Sequence, residues 1–493
     1  MSLPPVPCRQ GDRAIAAFRP SAIHAELGPD FFDVVEPARF PEHVLRYRND
    51  RAAATIGLEG LSDEDWIARF GRFEPFEGSL PEPLALRYHG HQFDIYNPDL
   101  GDGRGFLYAQ AFDAGGRLLD LGTKGSGQTP WSRGGDGRLT LKGGVREVLA
   151  TSMLEALGVD TSKSLSLIET GQSLFRADEP SPARASVLVR LSHSHIRIGS
   201  FQRLAHHRQH EAIARLVRHC TTHYLPDARR DDPEAEATAF LVEVIQRVAE
   251  TGARWISAGF VHGVLNSDNI NITGESFDYG PWRFLPVYDP GFTAAYFDGT
   301  GLYAFGRQPD ALAENLVRLA EALAPIGDPG SLEAALNTFW PEFQARLERA
   351  MLDRLGLEAE KNSGLDFVTD LLRFLGASQA PFEQVMFDLF AARPERLDRS
   401  PLAALYGAPD FAPVREKLFD FAVAPGADPE HAYFRRDRPR GMLIDEMEAL
   451  WAPIAESDDW WPLHQALAEI AEMGAAYAPV FAGGPQSAEQ RRS

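Results

Sequence analysis

The chain has 493 residues, 44% of them hydrophobic and 24% charged, enough for two or three domains or one large two-lobed enzyme. Its formal net charge of −21 argues against a protein that coats nucleic acid, whose footprint would be basic, while leaving room for a local cationic pocket. Cys8 and Cys220 are too few for a disulfide framework or a zinc cluster, and no apolar run approaches the roughly 18 residues that a membrane span needs.

Residues 1 to about 80 read as an irregular, proline-rich entry with short helical pieces. Ser62-Asp63-Glu64-Asp65-Trp66 has the N-cap and first-turn acids of a helix start. From Leu84 the texture becomes strand-like. Leu84-Ala85-Leu86-Arg87-Tyr88 and Phe93-Asp94-Ile95-Tyr96 are strand pieces around His89-Gly90-His91, and Leu100 to Gly105 is a tight glycine-rich turn. Phe106 to Phe112 and Arg117 to Lys124 are strands joined by the hairpin turn Asp113-Ala114-Gly115-Gly116. A loop, Ser132 to Arg138, leads to a helix from about Lys142 to Leu157, with Val145, Leu149, Met153 and Leu157 on its core face and Glu147 off that stripe. Ser186 to Arg190 is a further strand. Beyond it the chain reads as mostly helical. Asp232-Pro233 opens a long helix carrying Leu241, Val244, Ile245, Val248, Gly252 and Trp255. Leu312, Leu316, Leu319 and Leu323 mark another helix, and Leu336, Trp340, Phe343 and Leu347 a further one. Residues 365 to 480 are helical and aromatic-rich, and 483–493 form a polar tail expected to be disordered.

The long helix delivers the chain into His262-Gly263-Val264-Leu265-Asn266-Ser267-Asp268-Asn269, followed by Asp278-Tyr279-Gly280. Protein kinases place a base in H-x-D-x-x-x-x-N and a metal-binding Asp in a following D-F-G. Here the His, the Asn and the Asp-aromatic-Gly stand in register, but Val264 occupies the place of the base and can neither take a proton nor bind magnesium. A different carboxylate, Asp268, stands directly before Asn269. Strand, glycine-rich turn, strand, hairpin and strand ending in a lysine is also the order of a kinase N-lobe. The expected fold is therefore α+β and bilobal, like a protein kinase with an enlarged helical C-lobe. Its expected parts are an N-terminal extension over 1–83 packing on the lobes, an N-lobe over 84–190 and a C-lobe over 191–482.

Each candidate has a plainer alternative. Gly101, Gly103 and Arg104 suit a phosphate-cradling turn or an ordinary hairpin turn. Lysine is scarce here, at 124, 142, 163, 361 and 417 only, so Lys124 at a strand end stands out. It either pairs with Glu147 and faces phosphates, as in kinases, or snorkels to solvent. Asn269 and Asp278 suit magnesium, and equally suit turns. Arg190 and Arg197 could grip a polyphosphate or form structural ion pairs. The histidine pairs 89/91, 193/195 and 206/210 lack partner ligands and read as structural.

Tyr88-His89-Gly90-His91-Gln92-Phe93, Asn97 to Arg104, Lys124 to Pro130, Ser132 to Arg138, Ser194-His195-Ile196-Arg197, Asn266-Ser267-Asp268-Asn269, Asp278-Tyr279-Gly280-Pro281 and Tyr288 to Phe292 together resemble the selenoprotein O family, also called YdiU. These strings run from about Leu84 to Leu323. The family's Asn-Pro-Lys-x-x-Leu-Arg-Asn run and its C-terminal cysteine pair are not found, which reads as a divergent, shorter branch without that redox control. The resemblance implies a pseudokinase fold that transfers AMP from ATP to Ser, Thr or Tyr hydroxyls of proteins, with the nucleotide inverted in the cleft. It further implies that Gly101, Gly103, Arg104, Lys124, Asp136, Gly137, Arg190, Arg197 and Asp278 hold ATP, and that Glu147 pairs with Lys124. Asp268 would accept the proton, and Asn269 and Asp278 would bind Mg²⁺, with Mn²⁺ as an alternative. The expected partners are ATP and hydroxyl-bearing proteins, with neither nucleic acid nor membrane, in a bacterial cytoplasm. A kinase-like phosphotransferase and a catalytically silent nucleotide-binding pseudokinase scaffold are the competing readings.

Overall fold

The architecture rests on a nine-stranded sheet whose two faces are set by alternation along the strands. A computed structural model describes residues 17–177, 179–359 and 364–483. In chain order the strands and hairpin of the first half are β1 (Arg19–Ser21), β2 (Phe32–Val34), β3 (Val44–Arg48), β4 (Leu84–Leu86), β5 (Gly90–Gln92), β6 (Ile95–Asn97), β7 (Leu107–Phe112), β8 (Leu118–Lys124), β9 (Leu139–Thr140), β10 (Lys163–Leu174) and β11 (Ala183–Ser192). The large sheet runs β2-β4-β7-β8-β11-β10-β3, with β1 on β7 and β9 on β11, while β5 and β6 form a separate hairpin. Its neighbours pair antiparallel, with Leu188 opposite Lys124 and Arg190 opposite Gly122.

The first 80 residues thus contribute three strands to the sheet, where an irregular entry is expected from sequence. They are three to five residues long, too short to register as periodic runs, and they exist because distant strands pair with them. Two helices, α1 (Asp50–Thr55) and α2 (Asp63–Phe70), cover one face; Ser62 caps α2 by accepting from Asp65 N at 3.1 Å. Leu119, Leu121, Val187, Val189 and Leu191 point to that face and pack with Trp66 and Phe70. Leu118 and Leu188, out of phase by one residue, join the opposite cluster with Val145, Leu149 and Met153 of α3 (Leu141–Ala156). By the same parity Lys124 and Arg190 lie on the α3 side. The expected strand at Phe93–Tyr96 begins two residues later, because Phe93 and Asp94 take φ of 48° and 63° and form the β5–β6 turn.

The second half is helical: α4 (Ile198–His206), α5 (His210–His223), α6 (Pro233–Ser257), α7 (Gln308–Leu323), α8 (Pro329–Leu336) and α9 (Phe339–Leu355) are followed by shorter helices and a final one, Trp461–Gly483. Asp232 caps α6 by accepting from Ala235 N at 2.8 Å, with Pro233 in the first turn, and the predicted apolar stripe is buried. The helix expected across Leu336 to Leu347 is instead two. Pro341 falls in the first turn of α9, where its missing N–H costs nothing; inside one continuous helix it would break the ladder. Gly483 ends the final helix, and the tail expected to be disordered lies, from 484 on, outside the described residues. That helix packs along α3. After α6, the two-residue ribbon Phe260–Val261 with Arg283–Phe284 closes the base of the segment 262–282. Among the described residues no helix is long and apolar enough to cross a membrane.

Candidate active site

A polar cavity of about 540 Å³ is lined by the 100–105 turn, the end of β8, the 131–138 loop, Arg190, Arg197, Asp268 and Asp278. Thr140 starts α3 by accepting from Gly143 N at 3.1 Å, and two turns later Glu147 is buried behind Lys124. Lys124 Nζ donates to Glu147 Oε1 and, at 2.7 Å, to Asp278 Oδ1. Arg190 Nη1 approaches the same oxygen at 3.4 Å. Desolvation by itself would raise the Asp278 carboxyl, but Lys124, Arg190 and Arg197 outweigh it and hold it well below the usual carboxylate range.

Arg197 is fully buried. Its guanidinium lies 4.2 Å from the Tyr88 ring centroid and 5.0 Å from that of Phe277, and Nη1 donates to the Asp268 carbonyl at 3.1 Å. Arg197 Nη2, Arg190 Nε and Asp268 Oδ1 are buried without a hydrogen-bond partner. One orphan donor, one orphan acceptor and an Arg197 nitrogen held only by a 3.5 Å ion pair to Asp102 Oδ1 leave unmet polar capacity of the kind a bound polyanion and a reacting hydroxyl would use. Burial raises the Asp268 carboxyl to about 6, with Arg197 pulling the other way. The 267–269 turn is tied down by neighbours: Tyr303 OH donates to Asn266 Oδ1 at 2.7 Å, and Asn269 Nδ2 to the Val264 carbonyl at 3.0 Å. His262 is buried, its Nε2 bonded to the Phe277 carbonyl at 3.0 Å, so it joins the two halves of the segment that carries Asp268 and Asp278.

At the rim, a Cβ on Gly101 would lie 2.3 Å from Trp131 Cγ, and one on Gly103 2.8 Å from the Trp131 carbonyl. Both glycines therefore let Trp131 press onto the turn, whatever they offer a ligand. Asp136 is held by both guanidinium nitrogens of Arg176, at 2.8 and 3.0 Å.

The cavity gathers Gly101, Gly103, Arg104, Lys124, Asp136, Gly137, Arg190, Arg197, Asp268 and Asp278 from separate stretches of sequence. Glu147 and Asn269 are not in its wall; the first backs Lys124 and the second follows Asp268. Asp102, Trp131 and Arg176 also line it and carried no assigned role from sequence. Asp102 lies within the Asn97 to Arg104 string, and Trp131 falls between the strings ending at Pro130 and beginning at Ser132. Arg176, near the tip of the β10–β11 hairpin, had no local signal. Among the described residues no three His, Cys, Asp or Glu side chains converge as a metal site. The donor chemistry of Asn269 and Asp278 is that of hard oxygen ligands: the Asn269 amide turns its nitrogen to Val264, and Asp278 is kept ionised, with Oδ1 held by Lys124 and Arg190. A cation-lined interior beside carboxylates that burial makes more basic, Asp268 and Asp102, can bind a polyphosphate and take a proton from an incoming nucleophile.

A model of the family described as "Protein adenylyltransferase SelO" matches residues 15–471, well beyond the 84–323 stretch that carries the recognisable strings. A protein from Synechococcus elongatus named "Protein nucleotidyltransferase YdiU" is 44% identical over 465 residues, covering 90% of this chain and 93% of the relative. One of the same name from Synechocystis is 43% identical over 461 residues, covering 90% and 96%. One from Azotobacter vinelandii is 37% identical over 368 residues, 74% of each chain.

Proposed function

Because the chain belongs to the SelO protein adenylyltransferase family, we propose that it is an enzyme transferring AMP from ATP to Ser, Thr or Tyr hydroxyls of proteins. The single observation that carries this reading is the placement of the free carboxylate. Val264 stands where a kinase keeps its base, while Asp268, buried and with one carboxylate oxygen lacking a hydrogen-bond partner, shares its cavity with Lys124, Arg190 and Arg197. In the proposed reaction an acceptor hydroxyl gives its proton to Asp268 and its oxygen attacks the α-phosphorus. The bond from that phosphorus to the bridging oxygen breaks, and pyrophosphate leaves. Lys124, fixed by Glu147, and the guanidiniums of Arg190 and Arg197 neutralise the triphosphate, and Gly101, Gly103, Arg104, Asp136 and Gly137 border the remainder of the nucleotide. Asn269 and Asp278 would hold a divalent cation, magnesium or manganese, which supplies further charge neutralisation on the phosphates.

The same reading takes the molecule as bilobal and kinase-like, with an extension over 1–83, an N-lobe over 84–190 and a helical C-lobe over 191–482. The β8 lysine paired with the α3 glutamate, and the segment 262–282 bearing His262, Asn269 and Asp278, support it.

The test is incubation of the purified protein with bacterial extract, Mg²⁺ and ATP labelled at either the α or the γ position. Adenylylation leaves the α label on acceptor proteins and never the γ label; γ labelling would mean phosphotransfer, and neither label would leave a silent nucleotide-binding scaffold. Asp268→Ala is expected to lower α-label transfer by about 10²–10⁴ while ATP still binds. Wild-type transfer by that variant would remove Asp268 from the role of base.

A further inference from the structure

Asp268 has a buried carboxylate oxygen that no donor holds, yet a general base must be aimed to within a fraction of an ångström. The residue before it is locked in a closed ring. Ser267 Oγ donates to Gln202 Oε1 on α4. Gln202 Nε2 donates at 2.7 Å to His91 Nδ1 on β5. The His91 backbone N–H donates back to Ser267 Oγ at 2.8 Å. The directions are mutually consistent. Once the amide oxygen accepts from the serine, the amide nitrogen must face the imidazole, and Nδ1 is left as its acceptor. Ser267 is fully buried and Gln202 nearly so.

The same strand meets the base itself. A Cβ on Gly90 would lie 2.9 Å from Asp268 Oδ1 and 3.2 Å from Ser267 Oγ, so the bare backbone of β5 forms the wall against which the carboxylate rests. Arg197 holds the Asp268 carbonyl from the far side. We propose that His91 and Gln202, acting through Ser267 and with Gly90 as a backstop, are positioning residues for Asp268, and that the β5–β6 hairpin is the clamp that aims the base. The inference rests on the adenylyltransferase reading, since it concerns the base of that reaction. It also gives the paired histidine motif around Gly90 a role, in which one imidazole orients an amide that in turn orients the catalytic turn.

His91→Ala, His91→Asn and Gln202→Ala test this with ATP α-labelled and the extract proteins labelled above as acceptors. His91 is partly exposed, and the alanine variant keeps the backbone bond to Ser267, so folding is not at stake; thermal midpoints within about 2 °C of wild type check that. The maximal transfer rate of His91→Ala and Gln202→Ala is expected to fall at least about tenfold, with the apparent KM for ATP within about twofold, because misplacing a reacting group by about 1 Å costs up to about 10². His91→Asn, whose amide oxygen can replace Nδ1 as acceptor, is expected to recover most of the rate. Unchanged rates, a raised KM as the main effect, or no recovery in His91→Asn would overturn the clamp. Wild-type transfer by Asp268→Ala would instead remove the base assignment beneath it, so the two failures are told apart.

Discussion

Glu275 shows what a single buried acid does to the pH range of this protein. Its Oε2 accepts from His193 N at 3.0 Å; burial, and then the charge of Asp160, push its carboxyl up to about 8. In the unfolded chain the same group titrates near 4.3. The folded state therefore holds the extra proton between those values, and stability, complete below about 4, declines as pH rises toward 8. Glu275→Gln keeps an acceptor for His193 N and has no charge to expose. Its thermal midpoint is expected to be flatter than wild type between pH 5 and 8, with the difference greatest at the alkaline end; parallel curves would show that Glu275 is not the titrating group. At the cavity the same physics runs with the opposite sign: Asp278, ringed by three cations, stays ionised, whereas Asp268, with fewer, is left basic.

Among the elements, the β10–β11 hairpin sends Arg176, just past the end of β10, to the cavity. Near its tip Arg176 holds Asp136 with two hydrogen bonds and so restrains the 132–138 loop at the rim. Burial alone would raise the Asp136 carboxyl; the Arg176 bonds, the Arg138 backbone N–H and the charges of both arginines together outweigh it and lower it. The pair is half open to solvent, so it is worth about 0.5–1 kcal/mol. Arg176→Ala is therefore expected to raise the KM for ATP by about two- to fivefold with little change in maximal rate. A fall in rate at constant KM would place Arg176 nearer the chemistry than the rim. The α3 helix is held from several sides. Thr140 caps it and Glu147 ties it to β8, while the final helix packs along it and joins the last part of the chain to the helix behind the cavity.

Across the whole molecule, a chain of net charge −21 gathers seven cations, Arg104, Lys124, Arg133, Arg138, Arg176, Arg190 and Arg197, against four carboxylates in the lining of one cavity. Such a site attracts a polyanion against the sign of the surface around it. In the proposed reaction a divalent cation would come in with ATP, held by Asn269 and Asp278. Chelation is accordingly expected to abolish AMP transfer and leave the thermal midpoint within about 2 °C, with Mg²⁺ or Mn²⁺ restoring activity. A large fall in the midpoint on chelation would reveal a structural ion instead.

Local residue order was enough to locate β7, β8, α3, α6 and the His262 segment, because each is dictated by short-range periodicity, caps and turns. It also singled out Lys124, Glu147, Asp268, Asn269 and Asp278 by their kinase-like spacing; the fold brings Lys124, Asp268 and Asp278 to one cavity, sets Glu147 behind Lys124 and leaves Asn269 outside the wall. The three early strands, the division at Pro341 and the part played by Arg176 depend on partners far away in the chain. So does the ring of His91, Gln202 and Ser267, whose members are separated by 111 and 65 positions. Hydrogen bonds and packing between such residues have no period for a sequence to display; only the folded chain brings them within reach.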